Sequence, residues 1–324
     1  MAKSKNPLFS FDAHGTVGDQ ITFSSWKGAT RIRFSKKPQN PQTDFQQKNR
    51  SNISFGVLAW QSLSDIIKNL WNIASINTQK PISGYNFFIS EYSNSMLSGL
   101  NPSIYPPLKY LPGYPVLDGL LSWWRFDEGT GNIAYDFFEK YNATIYGPQW
   151  AIGRNGYCLS FDGVDDYCYT VYFLNRPNYL SFEAWVKCSV FTKIQTIFSS
   201  KEDVSNGTLW IYRPLNSNNL IFEYSNGVSA FNTIISNNFF SGYDNQFVHV
   251  VITADYLSGV VTFYRNSVLV STGTMTTPVK LLKNELFIGD YSTLTHRSFF
   301  GLMEQLRIYT KLLSQQEINH NYNL

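Results

Sequence analysis

No helix and no central strand can run through residues 101–115. The stretch reads Asn-Pro-Ser-Ile-Tyr-Pro-Pro-Leu-Lys-Tyr-Leu-Pro-Gly-Tyr-Pro and holds five of the chain's 13 prolines. Each proline fixes φ and removes a backbone donor. The pattern divides the chain into residues 1–100, a stiff proline-rich linker over 101–116, and residues 117–324. Charge changes sign at the same place. Residues 1–110 carry 12 Lys and Arg against 5 Asp and Glu, whereas residues 111–324 carry 14 against 18. The overall +3 is a cancellation, and the two parts suit different partners.

Before the linker, residues 15–36 alternate as a β-hairpin does. Val17, Ile21 and Phe23 are followed, after Trp26-Lys27-Gly28, by Ile32 and Phe34. Arg31 and Arg33 fall on the face opposite Ile32 and Phe34. Helices are expected over about 43–93. Ile53, Val57 and Trp60 have i, i+4, i+7 spacing, and Ile66, Ile67, Leu70, Trp71 and Ala74 form a second stripe. Ser64 and Ser83 stand where helix N-caps are expected.

After the linker the pattern is almost wholly β. Leu180 to Val186 alternates, Leu220 to Tyr224 is strand-like, and Val248–Ala254 and Val260–Tyr264 flank a turn at Asp255 to Gly259. Many short strands between Gly, Asn and Ser turns predict a sandwich or barrel. A composition with 17% aromatic and only 15% charged residues suits such a fold. Ser314-Gln315-Gln316-Glu317 has the spacing of a capping box, so one short helix is expected near residue 318. Cys158, Cys168 and Cys188 have no metal-ligand spacing and read as buried thiols. No run of 18 apolar residues occurs, so no membrane span is expected. The basic start lacks the apolar stretch of a secretory signal, so export is not expected.

Several motifs after the linker carry a resemblance. They are Trp123-Trp124-Arg125-Phe126-Asp127-Glu128-Gly129-Thr130-Gly131, Leu159-Ser160-Phe161-Asp162-Gly163-Val164-Asp165-Asp166-Tyr167, Leu180-Ser181-Phe182-Glu183-Ala184-Trp185-Val186, Phe287-Ile288-Gly289-Asp290 and Gly301-Leu302-Met303-Glu304-Gln305-Leu306-Arg307-Ile308-Tyr309. In this order they resemble the laminin-G-like, concanavalin A-like jelly roll over about residues 118–324, which implies two packed antiparallel sheets. Residues 10–95 are similar to small prophage and virion proteins, through Gly15-Thr16-Val17-Gly18-Asp19-Gln20-Ile21-Thr22-Phe23, Pro38-Gln39-Asn40-Pro41-Gln42-Thr43 and Ser83-Gly84-Tyr85-Asn86-Phe87-Phe88. That resemblance implies a structural component of a tailed-phage-like particle. The fold class is therefore mainly β: a concanavalin A-like jelly-roll sandwich preceded by a small β-hairpin and a helical anchor.

Fold does not fix function, so each candidate site is weighed on its residues. Lectins of the resembled fold stack aromatics on sugars and fix orientation with a few polar groups. Here the candidates are Trp210, Tyr212, Arg213, Tyr224, Tyr291, His296 and Arg297. The resemblance also implies a structural calcium ion between the first and last strands, at Asp127 and Glu304. The family pattern Gly-x-Ile-Asp-Glu reads Gly301-Leu302-Met303-Glu304-Gln305 here, a change of both acidic positions that weakens the donor set. Asp162, Asp165 and Asp166 read as a turn bonding its own backbone. Catalysis is not expected. No strand carries the paired carboxylates of a glycosidase, and Glu183 and Glu223 read as single solvated carboxylates. His14, His249, His296 and His320 are scattered, and His249 reads as a sheet residue. Residues 41–95 have a net charge of only +1, too little for a phosphate-binding face, so no nucleic-acid partner is expected. Lys27, Arg31, Arg33, Lys36 and Lys37 string cations along one hairpin, which suits docking on an acidic capsid surface.

The reading that absorbs most of this is a bacteriophage virion protein of decoration or head-fibre type, assembled in the host cytoplasm. Its partners would be the major capsid or other virion proteins, with host-surface glycans at the jelly roll. The alternative is a non-catalytic cellular carbohydrate-binding or adhesion protein, which the missing export signal opposes. Oligomeric state is not legible, since there is no heptad run to read.

Overall fold

The computed structural model describes residues 15–17, 21–26, 29–34, 42–171, 178–189, 193–200, 209–225, 231–275, 285–291 and 297–324. The chain forms two compact units, one of Met1–Ser62 with Ile89–Pro102 and one of Leu63–Phe88 with Ser103–Leu324.

In the first unit, β1 (Gly15–Val17), β2 (Ile21–Trp26) and β3 (Ala29–Phe34) form an antiparallel sheet in sequence order. Ser24 stands opposite Arg31 and Thr22 opposite Arg33. Helix α1 (Asp44–Ser62) packs on the second half of the helix Gly84–Leu97, which is numbered α3 below. The contact runs through Gly56, where an added Cβ would lie 3.2 Å from Ile89 Cδ1 and Tyr92 Cδ1. The Ile53, Val57, Trp60 stripe is therefore not the buried face. Asn52 and Gly56 are buried, while Ile53, Phe55, Leu58 and Phe45 are exposed. The smallest side chain lets two helices approach, and periodicity of large residues could not show that.

In the second unit, α2 (Asp65–Asn77) starts at Ser64, whose hydroxyl accepts the Ile67 N–H at 3.4 Å. Ser83 caps α3 in the same way through Asn86. Leu70, Trp71 and Ala74 are buried as their spacing predicts. The Trp71 ring meets Phe87 and Phe88 edge-on at 5.3 and 5.1 Å. The proline-rich stretch packs within this unit. Trp71 Nε1 donates to the Ile104 carbonyl at 2.8 Å, Asn77 Nδ2 donates to the Tyr110 carbonyl at 2.9 Å, and Leu111 is fully buried. Carbonyls that prolines leave without ladder partners are thus taken up by side chains of α2.

The rest of this unit is a two-layer sandwich. Its strands in chain order are β4 (Leu120–Trp124), β5 (Ile133–Ala134), β6 (Ala143–Tyr146), β7 (Gln149–Ile152), β8 (Tyr157–Asp162), β9 (Tyr167–Val171), β10 (Tyr179–Cys188), β11 (Gln195–Ser200), β12 (Leu209–Arg213), β13 (Leu220–Ser225), β14 (Phe231–Ser236), β15 (Phe247–Asp255), β16 (Val260–Arg265), β17 (Val268–Thr274), β18 (Glu285–Ile288) and β19 (Phe300–Tyr309). One sheet runs β17-β16-β15-β10-β19-β8-β7, with β4 also paired to β19. The other runs β14-β13-β12-β11-β18-β9-β6-β5. Leu180, Phe182, Ala184 and Val186 of β10 and Val248, Val250, Ile252 and Ala254 of β15 meet Ile197, Leu209, Ile211, Phe222 and Ile288 of the second sheet in one core. Cys158, Cys168 and Cys188 are free and buried.

The outer face of the first sheet is covered over β10. Helix α4 (Gln315–Tyr322) begins at the capping box of Ser314 and Glu317. It lays Asn321 and Tyr322 over β10, where Tyr322 stacks on Trp185 at 5.5 Å. Beneath it lies a buried polar network. Glu183 Oε1 accepts from Arg307 Nη1 at 2.5 Å and lies 2.8 Å from His249 Nε2, while Oε2 accepts from Asn321 Nδ2 at 2.7 Å. Glu183 is thus not a solvated carboxylate, because a helix far along the chain closes over its face. Burial alone would raise its pKa, but the Arg307 guanidinium and His249 outweigh that and hold it down at about 2. His249 is a buried sheet residue, as its surroundings in sequence suggest. Among the described residues, no helix is long and apolar enough to cross a membrane.

Candidate functional site

Strand alternation in the second sheet decides which side chains leave the core. On β12, Leu209 and Ile211 point inward, so Trp210 and Tyr212 point outward. On β13, Leu220, Phe222 and Tyr224 point inward, which leaves Ile221 and Glu223 outside. The same rule places Tyr146 of β6, Tyr167 and Tyr169 of β9, and Glu285 and Phe287 of β18 on the outer face. Pairing brings these strands side by side, with Tyr167 opposite Tyr146 and Tyr169 opposite Phe287.

The result is an outer face built on aromatic rings. Trp210 and Tyr212 stack at 3.7 Å, and Tyr291 lies 4.5 Å from Trp210. The Arg297 guanidinium sits over both Trp210 and Tyr291, at 4.7 and 4.8 Å. Trp210 Nε1 donates to Thr196 Oγ1 at 3.0 Å. Glu223 Oε2 accepts from the Tyr212 hydroxyl at 3.1 Å and from Thr233 Oγ1 at 3.3 Å. Trp210 and Tyr212 are only 3% and 8% exposed, so they form the floor, and half-buried Tyr291 and Arg297 form its upper layer. Burial raises the Glu223 pKa against the pull of the two hydroxyls and Arg297. Glu223 is not a solvated carboxylate either: the Tyr212 ring system and Thr233 enclose it. Farther along the face, Tyr146 stacks on Tyr167 at 4.8 Å, and Tyr169 lies 5.2 Å from Phe287 and donates to Glu285.

The structure brings together Trp210, Tyr212, Tyr291 and Arg297 from the predicted set. Two others go elsewhere. Tyr224 is fully buried in the core, on the inward face of β13. Arg213 is 1% exposed and committed to structure. It donates to the Ser217 carbonyl and to Asn218 Oδ1, and its guanidinium lies 5.0 Å from the Phe240 ring centroid. His296 lies outside the described residues, as do Lys27, Lys36 and Lys37. The sequence reading missed Tyr146, Tyr167, Tyr169 and Phe287. Each alternates with a core residue, which is the signal that could have found them.

Asp127 and Glu304 line one pocket of about 220 Å³ with Trp123, Arg125, Asn155 and Tyr157. Their surroundings do not suit calcium. Arg125 Nη2 lies 2.6 Å from Asp127 Oδ2. The Arg154 backbone N–H donates to Glu304 Oε2 at 2.7 Å, and its Nε lies 3.4 Å from Oε1. Guanidinium groups already supply the positive charge that an ion would bring. Asp162, Asp165 and Asp166 form an acidic cluster. Two of the three bond their own turn, with Asp166 accepting from Asp162 N–H and Asp162 from Val164 N–H.

Glu223 and Glu285 are the carboxylates on the strands of the aromatic face. They stand on β13 and β18, three strand spacings apart, or about 14 Å. Paired glycosidase carboxylates lie about 5–9.5 Å apart.

No curated protein matches the chain. Domain 4 of the extracellular arabinanase AbnA from Geobacillus stearothermophilus, solved with arabinotriose, is similar at 21% identity and a TM-score of 0.51, over 63% of this chain and 98% of that one. The binding domain of Paraclostridial Mosquitocidal Protein 1 is similar at 16% identity and a TM-score of 0.52, over 63% of this chain and 52% of that one. The botulinum neurotoxin serotype D binding domain is similar at 19% identity and a TM-score of 0.50, over 64% of this chain and 52% of that one. The chain thus spans nearly all of the arabinanase domain and about half of the two toxin binding domains. Residues 162–319 match the family described as the concanavalin A-like lectin/glucanases superfamily, laminin-G type, and the C-terminal sandwich is a concanavalin A-like jelly roll.

Proposed function

We propose that the sandwich is a non-catalytic glycan-recognition module and that the chain is a virion structural protein of decoration or fibre type. The observation that carries the first part is the outer face of the second sheet. There, rings that can stack on sugar C–H surfaces are combined with a fixed guanidinium and hydrogen-bonded carboxylates. The two carboxylates on that face stand too far apart for paired glycosidase chemistry, which favours recognition over turnover. The arabinanase domain, of the same fold, was solved with an arabino-oligosaccharide.

The virion part rests on the first unit and on the resemblance of residues 10–95. Helix α1 leaves Phe45, Ile53, Phe55 and Leu58 exposed, and the sequence before it is strongly basic. Apolar side chains and cations together fit a unit that docks on an acidic capsid protein. Many copies on one particle would turn weak single-site glycan binding into avidity.

A glycan array probed with the full chain tests the first part. Retention on one or more glycans, without release of sugar, is the expected result, and sugar release would overturn it. Immunogold labelling of purified phage particles with antibody to residues 117–324 tests the second. Unlabelled particles from a host that expresses the chain would sink it.

A further inference from the structure

Among the described residues, the Arg297 cation on the aromatic face is held but not paired. Asp290 Oδ1 accepts the backbone N–H groups of Tyr291 and Arg297, at 2.6 Å each, which sets both residues over Trp210. The Arg297 guanidinium then lies against two rings, at 4.7 and 4.8 Å. Among the described residues its side chain has no ion pair and no hydrogen bond. Glu223 attracts Arg297 electrostatically but forms no ion pair with it, and its Oε2 accepts from the Tyr212 and Thr233 hydroxyls; Glu285 accepts from the Tyr169 hydroxyl.

Contact with ring faces holds a guanidinium by its charge and does not use its N–H groups as hydrogen-bond donors. A planar fork of N–H donors with no acceptor matches a carboxylate in two-point geometry. The aromatic rings continue from Trp210 on β12 to Tyr146 on β6, four strand spacings or about 19 Å away. That length exceeds one sugar ring.

We propose that this face binds an acidic oligosaccharide, with the sugar carboxylate on Arg297 and neighbouring rings of the saccharide on the tyrosine strip. The inference rests on the glycan-recognition reading and names its ligand class.

The test is a binding titration of the full chain against two acidic probes, an oligogalacturonate and a sialic acid-terminated oligosaccharide. Each is compared with its own carboxyl-reduced, neutral counterpart. At least one acidic probe should bind about tenfold or more tightly than its reduced form, and the preference should weaken as salt rises. In Arg297→Gln the ratio of acidic to reduced affinity should fall to about one. Arg297→Lys, which keeps the charge but loses the fork, should give an intermediate ratio, and an unchanged melting temperature shows that each variant folds. Equal affinity for acidic and reduced forms overturns this inference alone. A preference that survives Arg297→Gln does the same. Failure of all four probes, together with a blank glycan array, overturns the recognition reading as well.

Discussion

Asp290 accepts the backbone N–H of Arg297, seven residues along the chain, at 2.6 Å, and it also accepts from Ser298 Oγ at 2.9 Å. The carboxylate is fully buried. It holds the backbone N–H groups of Tyr291 and Arg297 at one point, and both residues lie against Trp210. Asp290→Ala leaves buried N–H donors unsatisfied, at a cost of about 1–3 kcal/mol. The expected outcome is a lower melting temperature together with weaker glycan binding. Asp290→Asn keeps one acceptor oxygen and should recover part of both. Full-strength binding in Asp290→Ala would show that Tyr291 and Arg297 do not need this anchor.

Glu183 makes acid stability a second test. Its folded pKa of about 2 lies below the ordinary glutamate value of about 4.3. Between those values the unfolded chain binds the proton and the folded chain does not. The stabilisation is therefore complete above about pH 4.5 and is lost as pH falls toward 2. Glu183→Gln removes the charge that faces Arg307, a fully buried cation. Breaking such a pair costs about 3–5 kcal/mol. Urea unfolding from pH 7 to pH 3 should show the variant less stable at pH 7 and the gap to the natural protein closing as the solution becomes acidic. A constant gap would mean that Glu183 is not the titrating group.

Much of the fold was legible because its signals are local. Ser64, Ser83 and the Ser314–Glu317 box act within one helical turn, and each caps the helix that the sequence predicts. The alternation of Leu180 to Val186 likewise appears as β10. Glu183 and Glu223 were misread for the opposite reason. Alternation shows that a residue faces away from the core, but not whether something covers that face. Glu183 is enclosed by Arg307 and Asn321, which are 124 and 138 residues away in the chain. Within the site, Tyr224 and Arg213 were avoidable errors. Tyr224 shares parity with Leu220 and Phe222, and Arg213 shares it with Leu209 and Ile211. The joining of β12 to β6 through β11, β18 and β9 was not readable, because the order of strands across a sheet is set by long-range pairing.

The arginine-paired carboxylates at Asp127 and Glu304 give a third expectation. With Arg154 against Glu304 and Arg125 against Asp127, added calcium has no uncompensated charge to bind. Calcium or a chelator should leave the melting temperature within about 1 °C. Arg154→Ala leaves the buried Glu304 carboxylate without its partner and exposes the Trp185 ring, over which the guanidinium lies at 3.8 Å. A loss of about 1–3 kcal/mol is expected, several degrees in melting temperature for a domain of this size. A rise of several degrees on adding calcium to the natural protein would contradict the pairing argument.

The last expectation concerns the start of β19. Gly301 has φ of +144°, and an added Cβ would collide with the Lys187 carbonyl oxygen. Here β19 pairs on both sides at once, with Gly301 opposite Phe161 of β8 and Cys188 of β10. The backbone therefore cannot shift away from the clash without breaking one ladder. Gly301→Ala should lose about 1–3 kcal/mol from the backbone conformation alone, with steric repulsion added to it. Hydrogen exchange localises the effect. The amides of β8 and β10 that flank residue 301 should lose protection, while those of β12 and β13 in the other sheet keep theirs relative to global unfolding. Uniform loss across both sheets would mean that the glycine matters to the whole sandwich rather than to this junction.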